Sequence, residues 1–199
     1  MDMEKINYQK MLEKTLAQLA GTRPRLLLHA CCAPCSTAVL ERLMPHFALT
    51  LYFYNPNILP WSEYEKRLSE LKKLLAFPEF SSVGLLVPGR DEPAFEDISR
   101  GAQQEPEGGA RCRACYALRL GRTARTAAEL GFPYFTTTLS VSPHKNSAWL
   151  NEIGLDLSAP GGPVFLPSDF KKKNGYARSI ELSKKYGLYR QRYCGCTPV

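Results

Sequence analysis

In Arg25-Leu26-Leu27-Leu28-His29-Ala30-Cys31-Cys32-Ala33-Pro34-Cys35-Ser36 an apolar run leads straight into three closely spaced cysteines. The apolar run is too short for a helix and suits a strand covered on both faces, from Arg25 to Ala30. It breaks into a cysteine-rich turn, and a helix is expected from about Thr37 to Met44. Strand, turn and helix make the opening of a βα unit. Upstream, Ile6, Met11, Leu12, Leu16 and Leu19 are spaced for an amphipathic helix over about Glu4 to Ala20, stopped by Gly21. Downstream, Phe47 to Tyr54 alternates as a strand and runs into Asn55-Pro56-Asn57, with a helix from about Glu63 to Leu75. Ser82 to Val87 reads as a third strand, and the polar stretch Gly101 to Arg111 as a loop. A long helical pattern, Cys112 to Leu130, ends at Gly131. After it come a strand at Tyr134 to Thr138, a loop to Lys145, and helices at Ser147 to Ile153 and Asn174 to Tyr186. This alternation predicts one α/β domain, a parallel sheet with helices on both faces. Ligands in such sheets lie beyond the carboxyl ends of the strands. Three polar motifs fall there: the Cys31 turn, the Asn55 turn and Thr136-Thr137-Thr138.

The 199 residues are 44% apolar and 23% charged, enough to bury a core in a single domain. Lys and Arg number 26 against 19 Asp and Glu, a net charge of +7 that is compatible with an RNA or phosphate partner. No apolar run approaches the ~20 residues that span a bilayer. The stretch from Met1 to Ala20 has no apolar h-region, so a cytoplasmic, reducing location is expected and no membrane association.

Seven cysteines fall in three groups: Cys31, Cys32 and Cys35; Cys112 and Cys115; Cys194 and Cys196. Clustered thiols in a reducing compartment bind metal or exchange electrons, and an odd count speaks against a disulfide scaffold. The gap between Cys35 and Cys112 excludes a local zinc ribbon, so only the fold can bring the groups together. Adjacent Cys31 and Cys32 reach different metal atoms more naturally than one tetrahedral ion. Four thiolates are the complement of an iron–sulfur cluster, while zinc suits the same donors. A Cys194–Cys196 disulfide would close a very small, readily reduced ring; the same pair serves equally as supplementary metal ligands.

Other motifs carry less. His29 reads as a packed core residue and His46 as surface, whereas His144 and Lys145 lie in a loop near the inferred site. Asp169, Lys171, Lys172 and Lys173 form a solvated face or, with Arg178, Arg190 and Arg192, a phosphate-tracking patch. There is neither a Gly-x-x-x-x-Gly-Lys-Ser/Thr loop nor a Gly-x-Gly-x-x-Gly turn, so a nicotinamide cofactor has no support.

The sequence resembles the QueH-type epoxyqueuosine reductases. The resemblance is carried by residues 26–36 and by Tyr52-Phe53-Tyr54-Asn55-Pro56-Asn57-Ile58 and Glu63-Tyr64-Glu65-Lys66-Arg67. It continues through Arg111-Cys112-Arg113-Ala114-Cys115-Tyr116, Phe135 to Leu139, Asp169 to Lys172, Gly175-Tyr176, and Leu188 through Cys196. It covers the chain after Arg25, which implies a catalytic domain over residues 25–199 and an N-terminal helical extension over 1–24. The resemblance implies a HUP-like (adenine nucleotide alpha hydrolase-like) domain without a phosphate loop. The implied activity is reduction of epoxyqueuosine to queuosine at the tRNA wobble position, the last step of making that base. It further implies that Cys31, Cys32, Cys112 and Cys115 hold a [4Fe-4S] cluster with an additional iron beside it, and that Cys194 and Cys196 are the redox-active, disulfide-forming pair. Cys35 departs from members that carry Asp there, and its implied role is a ligand to the second metal.

Reducing an epoxide to an alkene takes two electrons and two protons and releases water. An electron donor is therefore required, and Tyr54, Tyr116, His144 and Lys145 are candidate proton donors. The wobble base must leave its stack, so Asn55, Asn57, His144, Lys145, Tyr189, Arg190, Arg192 and Tyr193 are candidate substrate or RNA contacts. Two alternatives stand beside this reading. One is an ATP-dependent tRNA-thiolating enzyme on the same fold, disfavoured by the missing phosphate loop. The other is a zinc-stabilised, non-catalytic RNA-binding module.

Overall fold

Leu26, Leu27, Leu28 and His29 are fully buried, and their strand lies in the middle of a parallel sheet. A computed structural model of the chain describes residues 6–19, 21–89 and 91–196. The strands are β1 (Arg25–His29), β2 (Ala48–Tyr52), β3 (Gly84–Leu86), β4 (Tyr134–Thr137) and β5 (Val164–Phe165), in the order β3-β2-β1-β4-β5. All four pairings are parallel, with Leu27 opposite Thr50 on one side and Phe135 on the other.

The pleat divides the core in two. Leu26 and Leu28 face a cluster filled by helices α1 (Tyr8–Gln18), α2 (Ala33–Leu43), α3 (Trp61–Leu75) and α7 (Gly175–Lys185). Leu27 faces the other cluster, built with Phe135 and Phe165 from α5 (Ala110–Glu129) and α6 (Ser147–Asp156). A further helix, α4 (Glu92–Ser99), packs on α5. Leu12 and Leu19 place the N-terminal segment in the first cluster. The expected ends of that first helix, Glu4 and Ala20, lie outside the described residues. Among the described residues no helix is long and apolar enough to cross a membrane.

Strand order reverses between β1 and β4, which opens a crevice beyond their carboxyl ends. The polar turns are stitched together there. Asn55 Nδ2 donates to the Ala30 carbonyl at 2.9 Å, and Cys31 N lies 3.5 Å from Thr138 Oγ1.

Three elements differ from the sequence reading. α2 begins at Ala33 rather than Thr37, because Cys32 caps it and Pro34 occupies its first turn, where a missing N–H costs nothing. α4 was not foreseen: its only large apolar residues are Phe95 and Ile98, and packing on α5 makes the helix. β5 is two residues long and exists only through its pairing with Tyr134 and Phe135.

Candidate metal centre

The first thiol group is built by the β1–α2 turn. The Cys32 thiol accepts from Cys35 N at 3.4 Å as the N-cap of α2, and Cys31 Sγ lies 3.7 Å from Cys32 Sγ. The sulfurs of Cys31, Cys32 and Cys35 all lie within 4.8 Å of one another, close enough for ligands of a single ion. Hydrogen bonds from Cys32 and Cys35 hold the Cys31 thiol well below its usual range despite burial, with Arg119 adding to the effect. The Cys31 contact pushes Cys32 up to about 12, and contacts with Cys31 and Cys32 push Cys35 well above its ordinary value.

The second group needs the whole fold. Cys112 and Cys115 sit one turn apart on α5, and the C-terminal tail brings Cys194 and Cys196 to them around a small cavity shared with Tyr116, Arg119 and Lys145. Gly108 N donates to Cys112 Sγ at 3.3 Å, Arg111 Nη2 lies 3.8 Å from Cys196 Sγ, and Lys145 Nζ lies 3.4 Å from Cys194 Sγ. The Cys196 hydrogen bond lowers the Cys194 thiol to about 5 against burial, helped by Lys145 and Arg119, while Cys196 is pushed up. Burial alone would lower the Lys145 ammonium, but Cys194 and Glu107 outweigh it and keep the amine charged. All seven cysteines are free thiols. The expected Cys194–Cys196 disulfide is thus not formed in this structure, and the closing of so small a ring is opposed by its strain.

The tail is clamped by α3. Arg67 Nη1 donates to the Cys194 carbonyl at 2.9 Å and Nη2 to the Tyr193 carbonyl at 3.3 Å, while Nε pairs with Glu63 at 2.6 Å. Leu59 N donates to the Gly195 carbonyl at 2.7 Å. Gly195 has φ +95°, and a Cβ there would meet Arg67 Nη2 at 3.0 Å. Glycine between the two cysteines is what lets the tail approach Arg67.

A larger cavity of about 450 Å³ opens above both groups. Cys31, Cys35 and Cys194 line it together with Asn57, Tyr193, Arg190, Arg192, His144 and Lys145. Gln191 lines the cavity too, and the side-chain oxygens of Asn57 and Gln191 are buried with no hydrogen-bond partner among the described residues. Asn55 does not reach the cavity; it joins the Ala30 carbonyl to Arg119. Tyr189 turns to α3 instead, its hydroxyl 3.4 Å from Glu63 Oε2 and its ring under Lys66. Tyr54 donates to Asp91 at 2.8 Å, outside both cavities. Lys171 pairs with Asp169 and Lys173 with Glu13, so that run is a charged face away from the cavity. His29 is a core residue held by Thr137 and Arg119, and its burial and the Arg119 charge lower it to about 3.

Two residues at this centre escaped the sequence reading. The motif at Glu63-Tyr64-Glu65-Lys66-Arg67 gives Arg67 no role by pattern alone. Arg119 carries one sequence signal: it follows Cys112 and Cys115 at helical spacing, a cation on the face that α5 buries.

A family model described as Epoxyqueuosine reductase QueH matches residues 26–198. Curated proteins of that name are similar over most of their length. The Streptococcus pyogenes protein is 42% identical over 97% of this chain and 78% of its own length. The Staphylococcus epidermidis protein is also 42% identical, over 98% and 85%. The Thermotoga maritima protein is 34% identical, over 86% and 88%. Among solved structures, the U34-tRNA thiolase NcsA from Methanococcus maripaludis with its [4Fe-4S] cluster superposes with a TM-score of 0.54. It is 13% identical, over 96% of this chain and 67% of that chain, a likeness in fold alone.

Proposed function

The chain belongs to the epoxyqueuosine reductase QueH family, and from that premise we propose that it reduces epoxyqueuosine to queuosine at the wobble position of tRNA. The observation that carries this reading is one cavity, about 450 Å³, lined by Cys31 and Cys35 of the strand-end turn and by Cys194 of the tail. That volume suits a single base taken out of its stack. Seven free thiols are the soft donor set that thiolate-held iron requires. Cys31, Cys32, Cys112 and Cys115 would hold a [4Fe-4S] cluster, and Cys35, within 4.8 Å of Cys31 and Cys32, would contribute to an additional iron. When bound, these groups supply single electrons and a Lewis acid.

The chain's own residues account for the rest of the balance. The epoxide takes up two electrons and two protons, one C–O bond after the other breaks, and the oxygen leaves as water. Oxidation of the Cys194 thiolate and the Cys196 thiol to a disulfide releases two electrons and one proton, and the Lys145 ammonium supplies the second proton. Lys145, charged and directed at Cys194, keeps that thiol ionised and faces the cavity as a donor to the departing oxygen. Asn57 Oδ1 and Gln191 Oε1 would accept from substrate N–H or O–H groups. Tyr193 offers a ring for stacking, and Arg190 and Arg192 offer charge for the anticodon phosphates. We assign the reductase to residues 25–199 and treat 1–24 as a helical extension, supported by a family match that starts at residue 26. An external donor then re-reduces the disulfide.

Anaerobic purification, iron and sulfide analysis, and turnover of tRNA carrying epoxyqueuosine test this reading. Iron in excess of sulfide, with queuosine formed, is the expected result. A colourless protein that retains only zinc after reconstitution, binds RNA and turns nothing over would establish the zinc-stabilised binding module instead.

A further inference from the structure

Arg119 is 2% exposed and sits on α5 between the two thiol groups, lining both cavities. Its Nη2 donates to Asn55 Oδ1 at 2.5 Å and its Nε to His29 Nε2 at 3.2 Å. His29 Nε2 also lies 3.0 Å from the Tyr54 carbonyl, and its Nδ1 lies 2.9 Å from Thr137 Oγ1, so the ring is fixed from both sides. Both partners are neutral. Among the described residues no carboxylate pairs with Arg119; the charges that act on it belong to Cys115, Cys31 and Cys194. A buried cation without a counter-ion is strongly unfavourable, and Arg cannot shed its proton to escape that cost. The compensating negative charge must therefore come from the thiolates and whatever they hold.

A cluster bound by four thiolates is anionic, and each electron it accepts adds one negative charge in a low-dielectric site. A fixed positive charge alongside favours the reduced form. We propose that Arg119 is a positioning residue that supplies the counter-charge of the centre, bridging the strand-end and helix–tail thiols and raising the reduction potential of the bound cluster. Asn55 and His29 hold the guanidinium in place, which gives a role to the Asn55 turn that substrate contact does not. This inference rests on the reading that the thiolates hold a cluster.

The test compares Arg119→Gln with Arg119→Lys in reconstituted holoenzyme, by anaerobic titration with dithionite and mediators and electron paramagnetic resonance of the reduced cluster. At the poise where the wild type is half reduced, Arg119→Gln should show at least about a tenfold lower ratio of reduced to oxidised cluster, equivalent to 59 mV for one electron. Arg119→Lys keeps the charge and should titrate close to wild type. Equal potentials in wild type and Arg119→Gln overturn the proposal. So does an Arg119→Lys variant that falls as far as Arg119→Gln, since shape rather than charge then matters. If Arg119→Gln retains no iron, Arg119→Lys decides: retained iron and sulfide with a wild-type potential supports the role of charge, and loss in both variants overturns it. A wild-type chain that never holds iron and sulfide refutes the functional reading itself, before any variant is compared.

Discussion

Cys31, Cys32 and Cys35 share a single turn between a central strand and the helix it feeds, whereas Cys112 and Cys115 meet Cys194 and Cys196 only because the tail crosses α3 to reach α5. The strand-end group is positioned by local geometry: β1 is buried from Leu26 to His29, and Cys32 caps α2 with its own thiol. The helix–tail group depends on side chains far away in sequence, chiefly Arg67 with Glu63 beneath it. The contrast teaches that the strand-end thiols are fixed by the sheet and the helix cap that follows it. The tail thiols are held instead through their peptide carbonyls by α3, with Lys145 and Arg111 beside their sulfurs.

The largest effect expected from disturbing this arrangement is at the ligands. Cys115→Ala should lose iron, sulfide and epoxyqueuosine reduction together, down to background, whereas Cys35→Ala should keep the cluster's iron and sulfide and lose only the excess iron. An active, cluster-free Cys115→Ala protein would erase the distinction between the two groups. Next comes the clamp. Arg67→Ala leaves the Glu63 carboxylate buried without its partner, a loss of about 3–5 kcal/mol in urea unfolding. A loss below about 1 kcal/mol, the worth of an exposed pair, would mean that the tail is not held through α3. Gly195→Ala is smaller: a Cβ at φ +95° costs about 1–2 kcal/mol and crowds Arg67 Nη2. Turnover should fall while iron and sulfide stay at wild-type levels, and loss of metal in that variant would place the tail among the ligands.

The smallest effect concerns the seam between the regions, where Arg178 of α7 forks onto Glu41 of α2 at 2.7 and 2.9 Å. Arg178 holds the Glu41 carboxyl below its unfolded value of 4.5, against burial. A depressed carboxylate contributes stability that is present above pH 4.5 and lost as pH falls through the folded value. Glu41→Gln should therefore lower stability near neutral pH by roughly a tenth of the Arg67→Ala loss, since exposed pairs contribute little. The difference from wild type should shrink as pH falls below 4.5; one that is the same at every pH down to full protonation would assign the effect to packing.

The apolar run at Leu26–Leu28, the alternation at Phe47–Tyr54 and the periodicity of α5 were legible because each depends on burial patterns of neighbours in sequence. The early start of α2 escaped because Ala33-Pro34 reads as a turn until a capping thiol is seen to open a helix there. Tyr189 was misplaced among the cavity aromatics for a related reason. Composition marks an amphipathic ring, but only the fold shows that Glu63 and Lys66 claim it.

The sequence by itself determined the parallel α/β architecture, the grouping of the thiols and the family, since these rest on local periodicity and motif spacing. Only the tertiary structure decided which thiols face one another, that Arg67 fastens the tail, and that Arg119 lies between the two groups. The physical reason is that burial of charge is not a property of a residue or its neighbours in the chain. Arg67 and Arg119 look like surface arginines on amphipathic helices until the strands and the tail close over them and leave carbonyls, sulfurs, the Asn55 amide, the His29 ring and a single glutamate as their partners.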